Sequence, residues 1–302
     1  MQVPVDIPAF VDFYSGIHHA SNVGRMFRPD MPPLLPNYRH LPVAYNGRAS
    51  SVVASGVPIR RPRGQTKAPD APMPSFGPTE ELDFELELGF FIADGNELGE
   101  PIPIEQAERH MLGLVLVNDW SARDVQRWEY MPLGPFLAKS FATSISPWIV
   151  SLDALAPFRI AGEPQEPEVL PHLRQDAPGH FDIRLEVSVQ TAAMHRPQLV
   201  SRSNARFLYW TFAQQLAHLT SNGANTEPGD LCATGTISGP DEGSYGSLLE
   251  LTWRGQHKLT MEETGEERTF LEDGDTVIFT AFAQGDGYRV GFGELRGTVT
   301  PS

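Results

Sequence analysis

Apolar and acidic residues alternate strictly through Leu82-Asp83-Phe84-Glu85-Leu86-Glu87-Leu88, which predicts a β-strand. Successive strand side chains point to opposite faces, so Leu82, Phe84, Leu86 and Leu88 share one face and Asp83, Glu85 and Glu87 the other. Leu114-Val115-Leu116-Val117 predicts a second, apolar strand ending at Asn118-Asp119. Ser121, with Asp124 three residues on, reads as the N-cap of a helix reaching about Tyr130. Arg123, Gln126 and Tyr130 share one side of that helix. Pro103 predicts a short helix over 104–112, and Phe207 to about Ser221, closed by Gly223, is the longest helix candidate. Pro147 to Val150, Phe181 to Val189 and much of Ser247 to Trp253 read as strands, the last two by alternation. Thr276 to Val299 adds strand-like runs broken by glycines, residues 1–80 are turn-rich, and 161–180 reads as a Pro-rich surface loop. The elements predict a mostly β, α+β protein of mixed sheets with a few short helices.

Composition reinforces that picture. Gly and Pro, 27 each in 302 residues, favour turns and short strands over long helices. A net charge of −15 repels phosphate backbones and anionic lipid, so neither nucleic acid nor a membrane is an expected partner. The one cysteine, Cys232, excludes an intrachain disulfide and reads as a small buried hydrophobe. No basic segment followed by an apolar run opens the sequence, and no stretch approaches the ~18 apolar residues that span a bilayer. The expectation is a soluble, cytoplasmic protein.

Candidate chemistry starts from Glu85 and Glu87, about 7 Å apart on one strand face. Either that face is wet, or further carboxylates join it. Asp119 closes the apolar strand before a helix, and Asp12 sits among Val11, Phe13 and Tyr14. Were the four to converge, their repulsion would call for a hard divalent cation. An all-oxygen shell suits Mg²⁺ or Ca²⁺ rather than zinc. Spacing alone leaves that convergence open. His18 and His19 are candidate bases near neutral pH, and in a strand only one of them could face a given pocket. Glu250, an acid in an apolar run, either orients a histidine or faces solvent from a half-buried strand. Lys139, among aromatic residues, either stabilises developing negative charge or lays its stem over apolar surface. Arg28, Arg123, Gln126, Tyr14, Tyr45 and Tyr130 are groups that recognise a carboxylate or a ketone. No Gly-rich nucleotide fingerprint and no Gly-x-Ser-x-Gly elbow is present.

Several blocks in fixed order carry a resemblance. They are Asp12-Phe13-Tyr14-Ser15-Gly16-Ile17-His18-His19-Ala20-Ser21-Asn22-Val23-Gly24, Glu85-Leu86-Glu87, Asn118-Asp119-Trp120-Ser121-Ala122-Arg123-Asp124 and Trp128-Glu129-Tyr130. Pro132-Leu133-Gly134-Pro135-Phe136, Lys139-Ser140-Phe141, Gly235-Thr236-Ile237-Ser238-Gly239-Pro240 and Gln284-Gly285-Asp286-Gly287-Tyr288 continue the series. With them the chain resembles the fumarylacetoacetate hydrolase family.

The resemblance implies a mixed β-sandwich roll, a single catalytic domain over 1–302 without the family's smaller N-terminal β-barrel, and a homodimer. It implies hydrolysis of a carbon–carbon bond of a small diketo acid, fumarylacetoacetate, to fumarate and acetoacetate, the last step of tyrosine and phenylalanine degradation. Carried over by motif, Asp12, Glu85, Glu87 and Asp119 would bind Ca²⁺, with Mg²⁺ near Asp119, Lys139 and Thr143. His19 would be the base, oriented by Glu250. Tyr14, Arg28, Tyr45, Gln126, Tyr130 and Thr236 would hold substrate, and Arg123, Gln126 and Lys139 would stabilise the oxyanion and the departing carbanion. The chain departs from the family at Asn46, Ala138 and Ala142, where His, Gly and Gly are frequent. The alternatives are a related enzyme acting on another diketo acid, and a non-catalytic metal-binding protein.

Overall fold

A computed structural model describes residues 2–302. The strands that position the site are, in chain order, β1 (Phe10–Phe13), β2 (Ala44–Asn46), β3 (Val52–Ala54), β4 (Ile59–Arg60), β5 (Leu86–Ile92), β6 (Met111–Asp119), β7 (Thr143–Ile145), β8 (Arg184–Gln190), β9 (Gln198–Asn204), β10 (Leu231–Ala233), β11 (Thr276–Gln284) and β12 (Arg289–Thr300). The helices that position the site are α1 (Ile17–Phe27), α2 (Arg123–Glu129), α3 (Phe212–Thr220) and the single turn α4 (Leu248–Leu251). Two larger sheets result: a seven-stranded mixed sheet in the order β2-β1-β10-β5-β6-β7-β3, and a five-stranded sheet in the order β9-β8-β11-β12-β4. The mostly β architecture with short helices follows the expectation.

The seven-stranded sheet is buried on both faces. Leu86, Leu88 and Phe90 of β5, Leu114 and Leu116 of β6 and Phe13 of β1 join Leu185, Val187 and Phe279 of the five-stranded sheet in one core. On the opposite face, Phe10, Leu231, Phe91, Val115, Val117 and Ile145 form a second, smaller cluster. The register then places Asp12 beside Ala233, Ala233 beside Gly89, and Asp119 beside Thr143. Because residues two apart share a face, that second face is apolar at one end and acidic at the other.

Several expected elements differ. The alternating segment does not run as one strand: Leu82–Asp83 pairs with Ser121–Ala122, and pairing with β6 resumes only at Leu86. The helix over 104–112 reduces to one 3₁₀ turn, Ala107–His110, because Met111 onward extends β6 against β5. Ser121 does not cap α2. Its backbone bridges Asp83 and its hydroxyl turns back to the Asp119 carbonyl, so the helix begins at Arg123.

Pro147 to Val150 gives only an isolated bridge from Val150 to Leu114, the strand lying earlier at β7. Ser247 to Trp253 is not a strand: the Ser247 hydroxyl accepts the Glu250 amide and starts α4. The helix expected from Phe207 starts at Phe212, where Thr211 and Gln214 form a reciprocal cap, and its nine residues make it shorter than the eleven of α1. The 161–180 excursion runs over the surface but buries Val169 and Leu173 against Tyr209 and Trp210.

Candidate active site and metal centre

Asp12 ends the acidic side of β1, Glu85 and Glu87 lie on the approach to and start of β5, and Asp119 closes β6. One carboxylate oxygen from each lies within 4.8 Å of the others, and all four side chains are buried. Among the described residues, Oδ1 of Asp12 and Oε1 of Glu87 have no hydrogen-bond partner. Glu87 uses its other oxygen to accept the Gly235 amide at 3.0 Å. Two buried acceptors without donors, inside a ring of acidic oxygens, are what a hard cation would satisfy.

The surroundings partly neutralise this cage. Lys139 Nζ donates to Glu85 and lies 2.8 Å from Asp119 Oδ2. Arg123 Nη1 lies 2.8 Å from Glu85 Oε1 and donates to Gln126 Oε1 at 3.2 Å. Thr143 donates to Asp119 at 2.9 Å. The Tyr45 hydroxyl lies 2.9 Å from Asp12 Oδ2 and 2.8 Å from Asp119 Oδ2. It has one proton to donate, so both contacts are satisfied only when one carboxyl is itself protonated.

Burial, then the charge of Asp119, holds the Asp12 carboxyl well above the usual carboxylate range. Burial followed by Asp12 and Glu85 does the same to Glu87. Burial also opposes ionisation of Glu85, but Lys139, Arg123 and His19 outweigh it and hold that carboxyl low. Lys139 and Arg123 stay charged: desolvation is overcome by Asp119 and Glu85 at the lysine, and by Asp83 and Glu85 at the arginine.

Beside the cage stands the histidine. Gly16 precedes α1 because its backbone passes Thr236 so closely that a Cβ would sit 2.2 Å from the Thr236 carbonyl oxygen. That approach carries the first turn of α1 inward, and His19 and Asn22, three residues apart, both face Glu250. His19 Nδ1 lies 2.7 Å from Glu250 Oε2, which also accepts from Ser238 and Ser247 at 2.8 Å each. Asn22 donates to Oε1 at 2.9 Å. Burial disfavours the Glu250 anion, but His19 and these donors lower its pKa on balance. An ionised Glu250 fixes the proton on Nδ1 and leaves Nε2, 3.9 Å from Glu85 Oε1, as the free base nitrogen. His18 lies on α1 one residue round, half-buried against Phe207, so the helix and not strand alternation separates the two histidines.

The candidate residues therefore gather unevenly. His19, Glu250, Asp12, Glu85, Glu87, Asp119, Lys139, Arg123, Gln126, Tyr45 and Thr143 form one connected group. Tyr14 borders it, edge-on to the His19 ring at 5.4 Å between centroids. Thr236 is buried, and its hydroxyl has no partner among the described residues. Arg28 caps the far end of α1 and donates to the Pro33 carbonyl at 3.2 Å. Tyr130 lies partly exposed just past α2. A cavity of about 80 Å³ between Tyr45, Arg48, Asp119, Phe136 and Lys139 reaches the acidic end from outside.

Sequence reasoning missed Asn22, Ser238 and Ser247, the donors that hold Glu250. Spacing of three from His19 would have found Asn22 had the segment been read as a helix. Cys232 is buried with its thiol pushed up, and acts as a core residue. Among the described residues no helix is long and apolar enough to cross a membrane.

Residues 9–300 match the family model described as fumarylacetoacetate hydrolase C-terminal. Over all 302 residues the chain is 54% identical to the fumarylacetoacetase of Bos taurus and 53% to that of Homo sapiens, spanning 72% of each. Identity to the Arabidopsis thaliana fumarylacetoacetase is 52%, over 71% of that protein. Among solved structures, the fumarylacetoacetate hydrolase of psychrophilic Exiguobacterium antarcticum aligns with all of the chain and 78% of its own length, at 20% identity and a TM-score of 0.58. The 5-carboxymethyl-2-hydroxymuconate delta-isomerase of Mycobacterium smegmatis aligns over 82% of its length at 21% identity and a TM-score of 0.57. At such identities these two structures speak to the fold alone.

Proposed function

Because the chain belongs to the fumarylacetoacetate hydrolase family, we propose that it hydrolyses a carbon–carbon bond of fumarylacetoacetate, yielding fumarate and acetoacetate. One observation carries this reading: a histidine with its Nδ1 fixed by a buried carboxylate turns its free nitrogen toward a cage of four acids.

His19 Nε2 takes a proton from water, and Glu250 stabilises the imidazolium. The water oxygen adds to the ketone carbon that bears the fumaryl arm. Arg123, Lys139 and the amide N–H groups of Gln126, whose oxygen is already committed to Arg123, face the resulting alkoxide. The carbon–carbon bond then breaks, its electron pair staying with the acetoacetate fragment as an enolate. His19 returns the proton to that carbon, and the added oxygen leaves as part of the fumarate carboxylate. No covalent nucleophile is required.

Asp12, Glu85, Glu87 and Asp119 would hold the cation, a hard divalent ion by its all-oxygen donors, which the family resemblance makes Ca²⁺. When bound, it supplies Lewis-acid polarisation of the ketone oxygens. Asp119, Thr143 and Lys139 would hold a neighbouring Mg²⁺. Lys139 would contribute there through its main-chain oxygen, since an ammonium only donates. Tyr14, Arg28, Tyr45, Gln126, Tyr130 and Thr236 are assigned to substrate. The same reading makes residues 1–302 a catalytic domain of a cytoplasmic homodimer that ends tyrosine and phenylalanine breakdown. The test is loss of the ultraviolet absorbance of fumarylacetoacetate with equimolar fumarate production by protein loaded with Ca²⁺ or Mg²⁺. Absence of turnover by the loaded protein overturns the assignment, and faster consumption of another diketo acid redirects it.

A further inference from the structure

The third acid of the alternating segment takes no part in the cage. Asp83 is fully buried, yet every polar contact it makes is to a donor. Oδ1 accepts the Leu248 amide at 2.7 Å and the Phe84 amide at 2.8 Å. Oδ2 accepts the Leu249 amide at 3.0 Å and Nε of Arg123 at 2.8 Å. Nη2 of Arg123 lies 2.8 Å from the same oxygen but has no well-aligned acceptor, so its N–H groups remain available.

These contacts join two parts of the site that are far apart in sequence. Leu248 and Leu249 begin the turn α4 that carries Glu250, and Glu250 holds His19. Arg123 begins α2 and reaches Glu85. A buried carboxylate with four well-aligned donors holds its neighbours tightly, and one misplaced by a fraction of an ångström shifts them together.

We infer that Asp83 is a positioning residue that fixes the Arg123 guanidinium relative to the His19–Glu250 pair. This rests on the reaction proposed above, in which Arg123 faces the negative charge that develops as water adds. Asp83 does not touch substrate. Its effect passes through the guanidinium, and so belongs to kcat rather than KM.

Asp83→Asn keeps the shape but turns an NH₂ group toward the Leu249 amide and Arg123 Nε, where an acceptor is needed. We expect kcat to fall about 30-fold or more with KM changed less than about threefold. In an Arg123→Lys background the same substitution should cost less than about threefold, because the group it positions is already gone. A full, additive loss in that background overturns the inference, since a general weakening of the fold would persist there. Should Asp83→Asn not fold, Asp83→Glu, which keeps the charge one carbon further out, enters the same cycle with the same criterion. A readout independent of turnover is the ¹⁵N-detected Nε–H of Arg123, identified by its loss in Arg123→Lys. Its protection from exchange should vanish in the Asp83 variant, and retained protection overturns the inference. If the wild-type protein does not consume fumarylacetoacetate, the proposed reaction fails while this measurement still decides the role of Asp83.

Discussion

The two sheets solve the same packing problem with opposite chemistry. In the five-stranded sheet, β8 alternates cleanly: Leu185, Val187 and Val189 are buried, while Glu186, Ser188 and Gln190 face outward. In the seven-stranded sheet, β5 is buried at all seven positions, and one of its faces turns acidic at the cage. The strand β8 turns its polar residues to solvent, whereas β5 keeps Glu87 inside, where a charge needs a partner. Burial is used for cohesion in the first sheet and for electrostatics in the second.

Substitutions can break or sharpen this contrast. The largest effect is expected from His19→Ala, which should lower kcat by about 10³-fold while binding of a substrate analogue changes little, read by steady-state kinetics and calorimetry. Next comes pH. Burial pushes His180, beside the five-stranded sheet, down to about 4. The unfolded chain then binds more protons than the folded one between that value and about 6.5, so stability present above pH 6.5 is lost as pH falls through this window. Its size approaches about 3 kcal/mol, and Tm measured against pH should fall less steeply in His180→Gln. Unchanged steepness in the variant would remove His180 as the cause.

Val187→Ala removes core volume from the five-stranded sheet. It should cost about 1–3 kcal/mol in urea unfolding, with kcat of the folded protein unchanged. Asp12→Asn should do the reverse on the other sheet. Removing one of the mutually repelling carboxylates should raise Tm of the metal-free protein by a few degrees and abolish the further rise on adding Ca²⁺. A fall in Tm without metal would show that the cage is cohesive by itself. Smallest is Arg202→Ala, which breaks the exposed 3.2 Å contact to Glu186 on β8 and should change stability by less than about 0.5 kcal/mol.

Legibility in the sequence follows the same division. The strand read over 181–189, found at 184–190, and the strand-like runs of 276–299, found as β11 and β12, are legible because outward positions are polar and glycines mark the turn. Glu85 and Glu87 were readable as face-mates, but two acids on a strand look alike whether wet or buried. What decides is pairing with β10 and β6, elements about 145 and 30 residues away, and that is tertiary information. Glu250 was misplaced on a strand because Ser247-Leu248-Leu249-Glu250 has too few residues for a helical period to emerge. The cap at Ser247 and the anchor at Asp83 settle that turn. Ser121 carries a good cap residue type, but its backbone was taken by Asp83 instead. Family motifs supplied the site residues that periodicity could not, since they encode the outcome of folding rather than its local causes.

The graded face of the seven-stranded sheet also bears on how the chain avoids pairing wrongly. Were β5 to slip by one residue against β6, Glu85 and Glu87 would swing into the cluster of Leu185, Val187 and Phe279, and Leu86 and Leu88 would enter the ring of acids. Each slipped state strands charges in hydrocarbon at a cost no other contact repays. The same carboxylates that burden the correct fold thus act as a proofreading device, rejecting the nearest incorrect alignment before any cation arrives.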